Sequence, residues 1–411
     1  PFYMEMGCGA AKAKPAPEEP GAPESPQKAE VASFREDRRG CASAAEWLAG
    51  TVEQPLYTDE IAIVDPHHHL FPIAMPPFLL ENEQWKNTMF GAGGRTALCQ
   101  PYMLQEYVAD MAYNNVTHTI HVECGQFYNR EESVAKHLQC VGETKRLQVI
   151  ADAASILGSG FPLVCAGIIA HADMDIGEEL LAAQLDAHRA AGKNVCGVRG
   201  QVAFAPEYKG EKADSGIHNA VSDGHKLEDA AFRKGLEVLQ SKNLVFDCFL
   251  YHPQLAQLAE VADAFPELTI VCEHSALPLG ISTYSGEIPG PPADVAEVWK
   301  IGIRELAQRQ NVYIKLGAMT FPAAGFGLDK RAKPIGSEEL ATLLSPWYDE
   351  IIDAFGAHRC MFESNFPMDK SSCSYTVLWN AFKRIAKKKC TTSEEIQALF
   401  AGTAKEVYKL N

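Results

Sequence analysis

The chain reads as an α/β protein, a (β/α)8 TIM barrel over residues 44–411 preceded by a disordered low-complexity tail over residues 1–43. Three observations predict it. After Ala44, eight short apolar runs alternate with longer amphipathic ones. Most of those runs are continuous rather than alternating, as parallel strands covered on both faces must be. Polar residues of catalytic type stand just past the end of run after run, where such barrels keep their chemistry. A doubly wound open sheet is the competing fold. It would place a glycine-rich phosphate loop after the first strand, and the residues there are Asp65-Pro66-His67-His68-His69.

The strands are expected at residues 61–64, 119–124, 163–169, 195–199, 244–250, 268–273, 312–316 and 360–363. The first is Ile61-Ala62-Ile63-Val64, mostly β-branched and so suited to a buried strand. Residues i and i+2 of a strand share a face, so Asp65, His67 and His69 are expected to point the same way. Helices fill the intervals. Leu104, Val108, Met111 and Ala112 have helical spacing, with Asn114-Asn115 to stop them. Leu180, Leu181, Leu185 and His188 repeat the period, with Gly192 beyond the end. Pro253 suits a first turn before the stripe Leu255, Leu258, Ala262 and Phe265. Asp294 with Glu297, and Thr392 with Glu395, have the spacing of capping boxes.

Composition narrows the function. A net charge of −16 argues against a nucleic-acid partner, which requires basic surface. An anionic small molecule stays compatible, because a local Arg or Lys pocket overrides a global field. No run of 18 apolar residues is present and the N-terminus lacks an apolar signal core, so a cytoplasmic protein is expected. Residues 10–33 are Ala, Pro, Glu and Lys, unable to bury enough surface to offset their ordering entropy. Within Met6-Gly7-Cys8-Gly9, a start at Met6 would expose Gly7 for myristoylation and Cys8 for palmitoylation, tethering the chain to a membrane. Ala11 stands where that motif wants Ser or Thr. The 12 cysteines contain no CxxC pair, and Cys124, Cys165, Cys248, Cys272 and Cys360 fall in the apolar runs, which suits reduced core thiols. No heptad fixes an oligomeric state.

Candidate site residues follow from the strand ends. The first strand ends in His67 and His69, the second in Glu123, the third in His171 and Asp173. The fourth ends in Arg199, the fifth in Tyr251-His252-Pro253, the sixth in Glu273-His274. The seventh contains Lys315, and the eighth ends in Glu363-Ser364-Asn365-Phe366-Pro367 with Asp369 beyond. Two imidazoles at i and i+2 can share one divalent cation, zinc or manganese, or grip an anion. A cation and an imidazole at strand ends need partners, which marks Arg199 and His274.

These motifs resemble a known family, the amidohydrolase-related metal-dependent hydrolases with a TIM barrel. The similarity is strongest to the branch containing 2-pyrone-4,6-dicarboxylate lactonase and sugar-acid lactonases. The stretches that carry it are Val64 to Leu70, Tyr251 to Leu255, Glu273 to Pro278, Asn311 to Gly317 and Arg359 to Lys370. The resemblance implies that His67 and His69 are metal ligands. It implies that His274 holds metal or polarises a substrate carbonyl, and that Arg199 offers its charge to a substrate carboxylate. One departure stands out. The eighth strand of the family ends Gly-Ser-Asp-Trp-Pro, and its Asp is the general base; here that position is Asn365, and the Gly position is Glu363. Glu363 and Asn365 share strand parity.

The expected function is therefore opening of a carboxylate-bearing lactone, or a similar cyclic ester or amide, by activated water. Glu363 takes the place of the missing base, with Asp369 as second choice and Asn365 beside them. His274 completes the catalytic set; Arg199, Lys315, His252 and Glu123 form the substrate-binding set; His67, His69 and His274 form the metal set. The alternatives are a metal-dependent non-oxidative decarboxylase and a catalytically inactive barrel used for binding, the second suggested by Asn365.

Overall fold

Eight parallel strands follow one another round a single sheet in sequence order: β1 (Ile63–His68), β2 (Val116–Val122), β3 (Leu163–His171), β4 (Val195–Gln201), β5 (Val245–Phe249), β6 (Ile270–Cys272), β7 (Val312–Leu316) and β8 (Cys360–Phe362). Each pairs in parallel with the next. The segment after β8 closes the ring onto the end of β1: Asn365 N donates to His67 O at 2.9 Å, and His69 N to Phe366 O at 2.8 Å. The computed structural model describes residues 39–74, 82, 88, 90, 97–158, 160–212 and 216–410. The Gly7/Cys8 motif and the tail up to residue 38 lie outside them. All eight expected strands are present, shifted by at most a few residues at their ends.

The ladder shifts register at several places in β1 to β4, and the one that bears on the site is in β1. Asp65 pairs with Thr119 and His68 with His121, so three steps of β1 oppose two of β2. The extra residue falls at Pro66, which has no amide hydrogen to give the ladder. Side chains before and after it are out of phase. Val64 packs inside the barrel with Val122, Ile169, Val245, Val271 and Met361. Asp65 turns outward and accepts from Tyr107 Oη (2.7 Å) and Tyr375 Oη (2.9 Å). His68 also faces outward, stacked on Tyr107. Only His67 and His69 return to the interior, so Asp65 does not join them as strict alternation required.

Helices cover the outside. Those used below are α1 (Arg39–Leu48), α2 (Leu104–Met111), α3 (Val141–Ser155), α4 (Glu178–Ala191), α5 (Ala230–Ser241), α6 (Leu255–Ala264), α7 (Ala293–Leu306), α8 (Ser337–Phe355) and α9 (Tyr375–Lys389). Their apolar stripes meet the outward faces of the strands in the main core, for example Leu236 and Leu239 of α5 and Trp299 and Ile303 of α7. Gly192 follows α4, and Thr392 forms its capping box with Glu395. The Asp294 box is absent. Pro292 caps α7 and Asp294 lies in its first turn, where the carboxylate accepts from Tyr208 Oη at 2.6 Å. Among the described residues no helix is long and apolar enough to cross a membrane. Cys165, Cys248, Cys272 and Cys360 are buried free thiols. Cys99, in the turn Ala97–Cys99, is disulfide-bonded, which departs from uniformly reduced cysteines.

Candidate active site

The barrel interior is built in two layers. The lower layer is apolar and includes Val245, Val271 and Met361. Two residues on along the same strands, the same parity brings in Asp247, Glu273 and Glu363, all fully buried, with Lys315 from β7 among them. Charges so deep need partners. Lys315 Nζ donates to Asp247 Oδ2 at 2.6 Å and lies 3.7 Å from Glu273 Oε1. Tyr408 Oη also donates to Asp247, at 2.9 Å. Burial opposes the Lys315 charge, but Asp247, Glu273 and Glu363 outweigh it and raise the lysine pKa. Lys315 is thus enclosed within the barrel, and the mouth cavity is lined by other residues.

Above this layer sit the imidazoles. His69 Nδ1 meets Val122 O at 2.8 Å, so that nitrogen carries the proton and Nε2 is a bare acceptor. His69 Nε2 faces His67 Nε2 at 3.2 Å. His67 Nδ1 lies 2.9 Å from Glu363 Oε2 and 3.4 Å from Lys315 Nζ. His274 follows β6 with a left-handed backbone (φ 58°), which turns its ring back over the strand ends. Glu363 Oε1 accepts from His274 Nδ1 at 2.7 Å and from its backbone N at 3.1 Å. Burial, then the charges of Lys315 and its neighbours, hold His67 well below the ordinary histidine pKa. Burial lowers His274 to about 3. Burial pushes Glu363 up to about 8, with the Glu273 charge adding to it and Lys315 opposing.

Arg199 forms one wall. Its Nε donates to Glu273 Oε2 at 2.9 Å, Nη1 approaches Glu123 O at 3.4 Å, and the guanidinium lies 5.1 Å from the Phe249 ring centroid. Glu123 is buried behind it and accepts from Gln201. On the opposite wall Asn365 donates to Asp369 Oδ2 at 2.5 Å, and Thr320 Oγ1 donates to Oδ1 of the same carboxylate. Asp369 is fully buried behind Asn365, and burial raises its pKa to about 8. His252 stands apart from the cavity lining, accepting from Leu279 N at 3.4 Å and packing edge-on against Tyr284.

These walls enclose a cavity of about 220 Å3 at the carboxyl ends of the strands. Its polar lining is His69, Arg199, Gln201, His218, His274 and Asn365, and Phe71, Phe90, Phe249 and Phe321 supply aromatic surface. A larger groove of about 830 Å3 lies at the amino-terminal ends of β2 and β3 and holds none of these groups. Of the residues expected from sequence, the structure gathers His67, His69, Arg199, His274, Glu273 and Glu363 around one point. Asp247, Gln201 and His218 were missed. Asp247 had a signal, a lone charge inside the apolar run 244–250 at barrel-interior parity; His218 comes from a long loop with none.

With this geometry in hand, the comparisons are decisive about family. The Amidohydrolase family model matches residues 64–410. The chain belongs to the amidohydrolase family. It is 28% identical over 354 residues to the uncharacterized protein y4mH of Sinorhizobium fredii, covering 85% of this chain and 99% of that one. It is 27% identical over 184 residues to the L-fucono-1,5-lactonase of Burkholderia multivorans, covering 45% of this chain and 57% of the lactonase. Among solved structures, an amidohydrolase of B. multivorans with bound zinc superposes with a TM-score of 0.61 at 20% identity, over 85% of this chain and all of that one. A putative 2-pyrone-4,6-dicarboxylic acid hydrolase of Pseudomonas putida follows at 0.52 and 16% identity, over 85% and 98%. The last two comparisons establish the barrel as the shared fold.

Proposed function

We propose that this amidohydrolase opens a small carboxylate-bearing lactone by addition of water, with the His274–Glu363 pair as proton acceptor. One observation carries the reading: a buried relay, His274 Nδ1 to Glu363 Oε1 at 2.7 Å, whose imidazole borders the cavity that Arg199 also lines. Similarity to a lactonase over part of the chain supports the substrate class.

The donors present suit a divalent cation. His67 and His69 turn two Nε2 atoms toward each other, and the donor atoms of His67, Glu273 and His274 lie within 4.8 Å of one another. Glu273 Oε1 and Glu363 Oε2 are buried carboxylate oxygens without a hydrogen bond among the described residues. His67 and His69 with Glu273 would hold the ion, which leaves His274 Nε2 free for a proton, and nitrogen with carboxylate donors fit zinc or manganese. Bound there, it would polarise the scissile carbonyl and lower the pKa of water.

The protein groups do the rest. Water gives its proton to His274 Nε2 while the Nδ1 proton passes to Glu363 Oε1. The raised pKa of Glu363 and the depressed pKa of His274 make the carboxylate the end of that relay. The oxygen of water bonds to the carbonyl carbon, the ring C–O bond breaks, and the departing alkoxide takes the proton back from the pair. Arg199 has Nη2 left for the substrate carboxylate once Nε has gone to Glu273.

A lactone panel tests this. Glu363→Gln should lower kcat by about 10²–10⁴ with the circular dichroism spectrum unchanged. Arg199→Lys should raise KM for carboxylate-bearing lactones about tenfold or more. A fully active Glu363→Gln variant refutes the relay. Release of carbon dioxide in place of hydrolysis, or saturable binding with no product, refutes the lactonase reading.

A further inference from the structure

The walls of the mouth cavity favour a flat ring over a hydroxylated one. An aromatic side chain stands beside each polar group that meets the substrate. The Phe249 ring lies 5.1 Å from the Arg199 guanidinium and meets His274 edge-on, with centroids 5.3 Å apart. Phe71 meets His69 edge-on at 6.0 Å. Phe321 and Phe90 lie 5.9 Å apart on the outer wall, and Leu98, Leu277 and Met368 fill the apolar lining between the rings. Such surfaces gain most from a ligand that brings a π face of its own.

The polar atoms of the lining are mostly engaged by the protein. Arg199 gives Nε to Glu273, and its Nη1 approaches Glu123 O. Gln201 gives its amide hydrogen to Glu123, and Asn365 gives one to Asp369. His69 Nδ1 is held by Val122 O and His274 Nδ1 by Glu363. Glu123, Glu273, Glu363 and Asp369 are all buried behind these groups, and among the described residues no carboxylate lines the cavity. The side-chain oxygens the lining does offer are those of Gln201 and Asn365. A ring with an array of hydroxyls needs an acceptor for each O–H taken out of water. Each one left unpaired costs about tenfold in affinity. Charge is limited in the same way. Among the described residues Arg199 is the one arginine or lysine in the lining, which matches a single carboxylate. The volume of about 220 Å3 lies below the range of drug-sized pockets and suits one or two small rings.

We infer that the lactone taken here is flat and aromatic-bodied, carries one carboxylate on Arg199, lies against Phe71 and Phe249, and has no array of hydroxyls. That the bound ring opens rests on the lactonase reading proposed above. The body of the ligand rests on the cavity alone.

Two pairs of probes test the two parts separately, on the full chain with whatever metal it carries. Phthalide-5-carboxylate and D-glucaro-1,4-lactone are both lactones with one carboxylate, the first flat and the second hydroxylated. The first should be opened with kcat/KM about 100-fold or more above the second, after subtraction of spontaneous hydrolysis. Indane-5-carboxylate and D-glucuronate repeat the contrast with no lactone to open. Calorimetry should find the indane bound about 100-fold more tightly. Phe71→Ser, at a half-buried wall position, should weaken the indane about 3- to 10-fold, and Arg199→Gln should abolish its binding. If Arg199→Gln does not fold, Phe71→Ser still ties the binding to this cavity. Faster opening of D-glucaro-1,4-lactone overturns the inference and leaves the lactonase reading standing. Indane binding that depends on Phe71, with neither lactone opened, does the reverse. D-Glucuronate bound as tightly as the indane, or no indane binding at millimolar concentration, also overturns the inference.

Discussion

Lys315→Met separates the structural from the catalytic use of the buried charges. The ammonium is fully buried, 2.6 Å from Asp247 Oδ2 and 3.7 Å from Glu273 Oε1. Removing it leaves two carboxylates in the barrel interior with their main counter-charge gone. Breaking a buried pair in this way costs about 3–5 kcal/mol. Tyr408 Oη still donates to Asp247 at 2.9 Å, and Arg199 Nε to Glu273 at 2.9 Å, which sets the expectation at the lower end, about 3 kcal/mol. Adding Asp247→Asn removes the stranded charge, and an uncharged pair of similar volume can be nearly neutral. The double variant should therefore recover most of the loss, giving a coupling energy of about 2 kcal/mol. Urea unfolding followed by circular dichroism and tryptophan fluorescence, with refolding checked, supplies the four values of the cycle. A single variant within about 1 kcal/mol of the parent, or a double variant no better than the single one, refutes the reasoning.

Asp65→Ala should destabilise by about 3 kcal/mol or more, because Tyr107 Oη, Tyr375 Oη and Ser364 N would all lose a buried acceptor; a urea midpoint unchanged from the parent sinks the claim. Acid should unfold the chain early. Burial holds His68 well below its usual pKa, His121 at about 3, and His188 and His252 at about 4. Below the unfolded value near 6.5 the unfolded chain binds protons that the native one refuses, so each imidazole removes about 1.4 kcal/mol per pH unit as pH falls toward 4. Glu143 and Asp369, both raised to about 8 by burial, act oppositely and weaken the fold as pH rises from about 4.5 to 8. Tm scanned from pH 4.5 to 8.5 should peak near neutrality and fall on the acid side, and a flat acid limb contradicts the assignment. Protein purified without added metal or a histidine tag should carry near-stoichiometric zinc or manganese by mass spectrometry, and His67→Ala should lose it; equal metal content in both proteins rules out His67 as a ligand.

Much of this site was legible because a barrel converts strand parity into position. Once eight apolar runs were in view, the residues at their ends had to converge, and His67, His69, Arg199, His274 and Glu363 do. What stayed hidden depended on contacts that no run of sequence displays. The extra residue at Pro66 threw Asp65 out of phase, and only pairing with Thr119 and His121 reveals it. Lys315 looked like a charge for substrate, but its strand carries it into the barrel, where Asp247 and Glu273 claim it. Asp247 was masked by the apolar residues around it, and the aromatic walls from Phe71, Phe90 and Phe321 come from outside the strands. Asn365 was the most informative departure, since it directed attention to Glu363 two residues earlier. Yet a carboxylate at that position is possible only because Gly317, on the neighbouring strand end, leaves space for its side chain. The two residues form one unit in three dimensions, 46 positions apart in the sequence. Glu363 in any relative should therefore demand glycine opposite it, and the carboxylate and its cradle should be exchangeable only together.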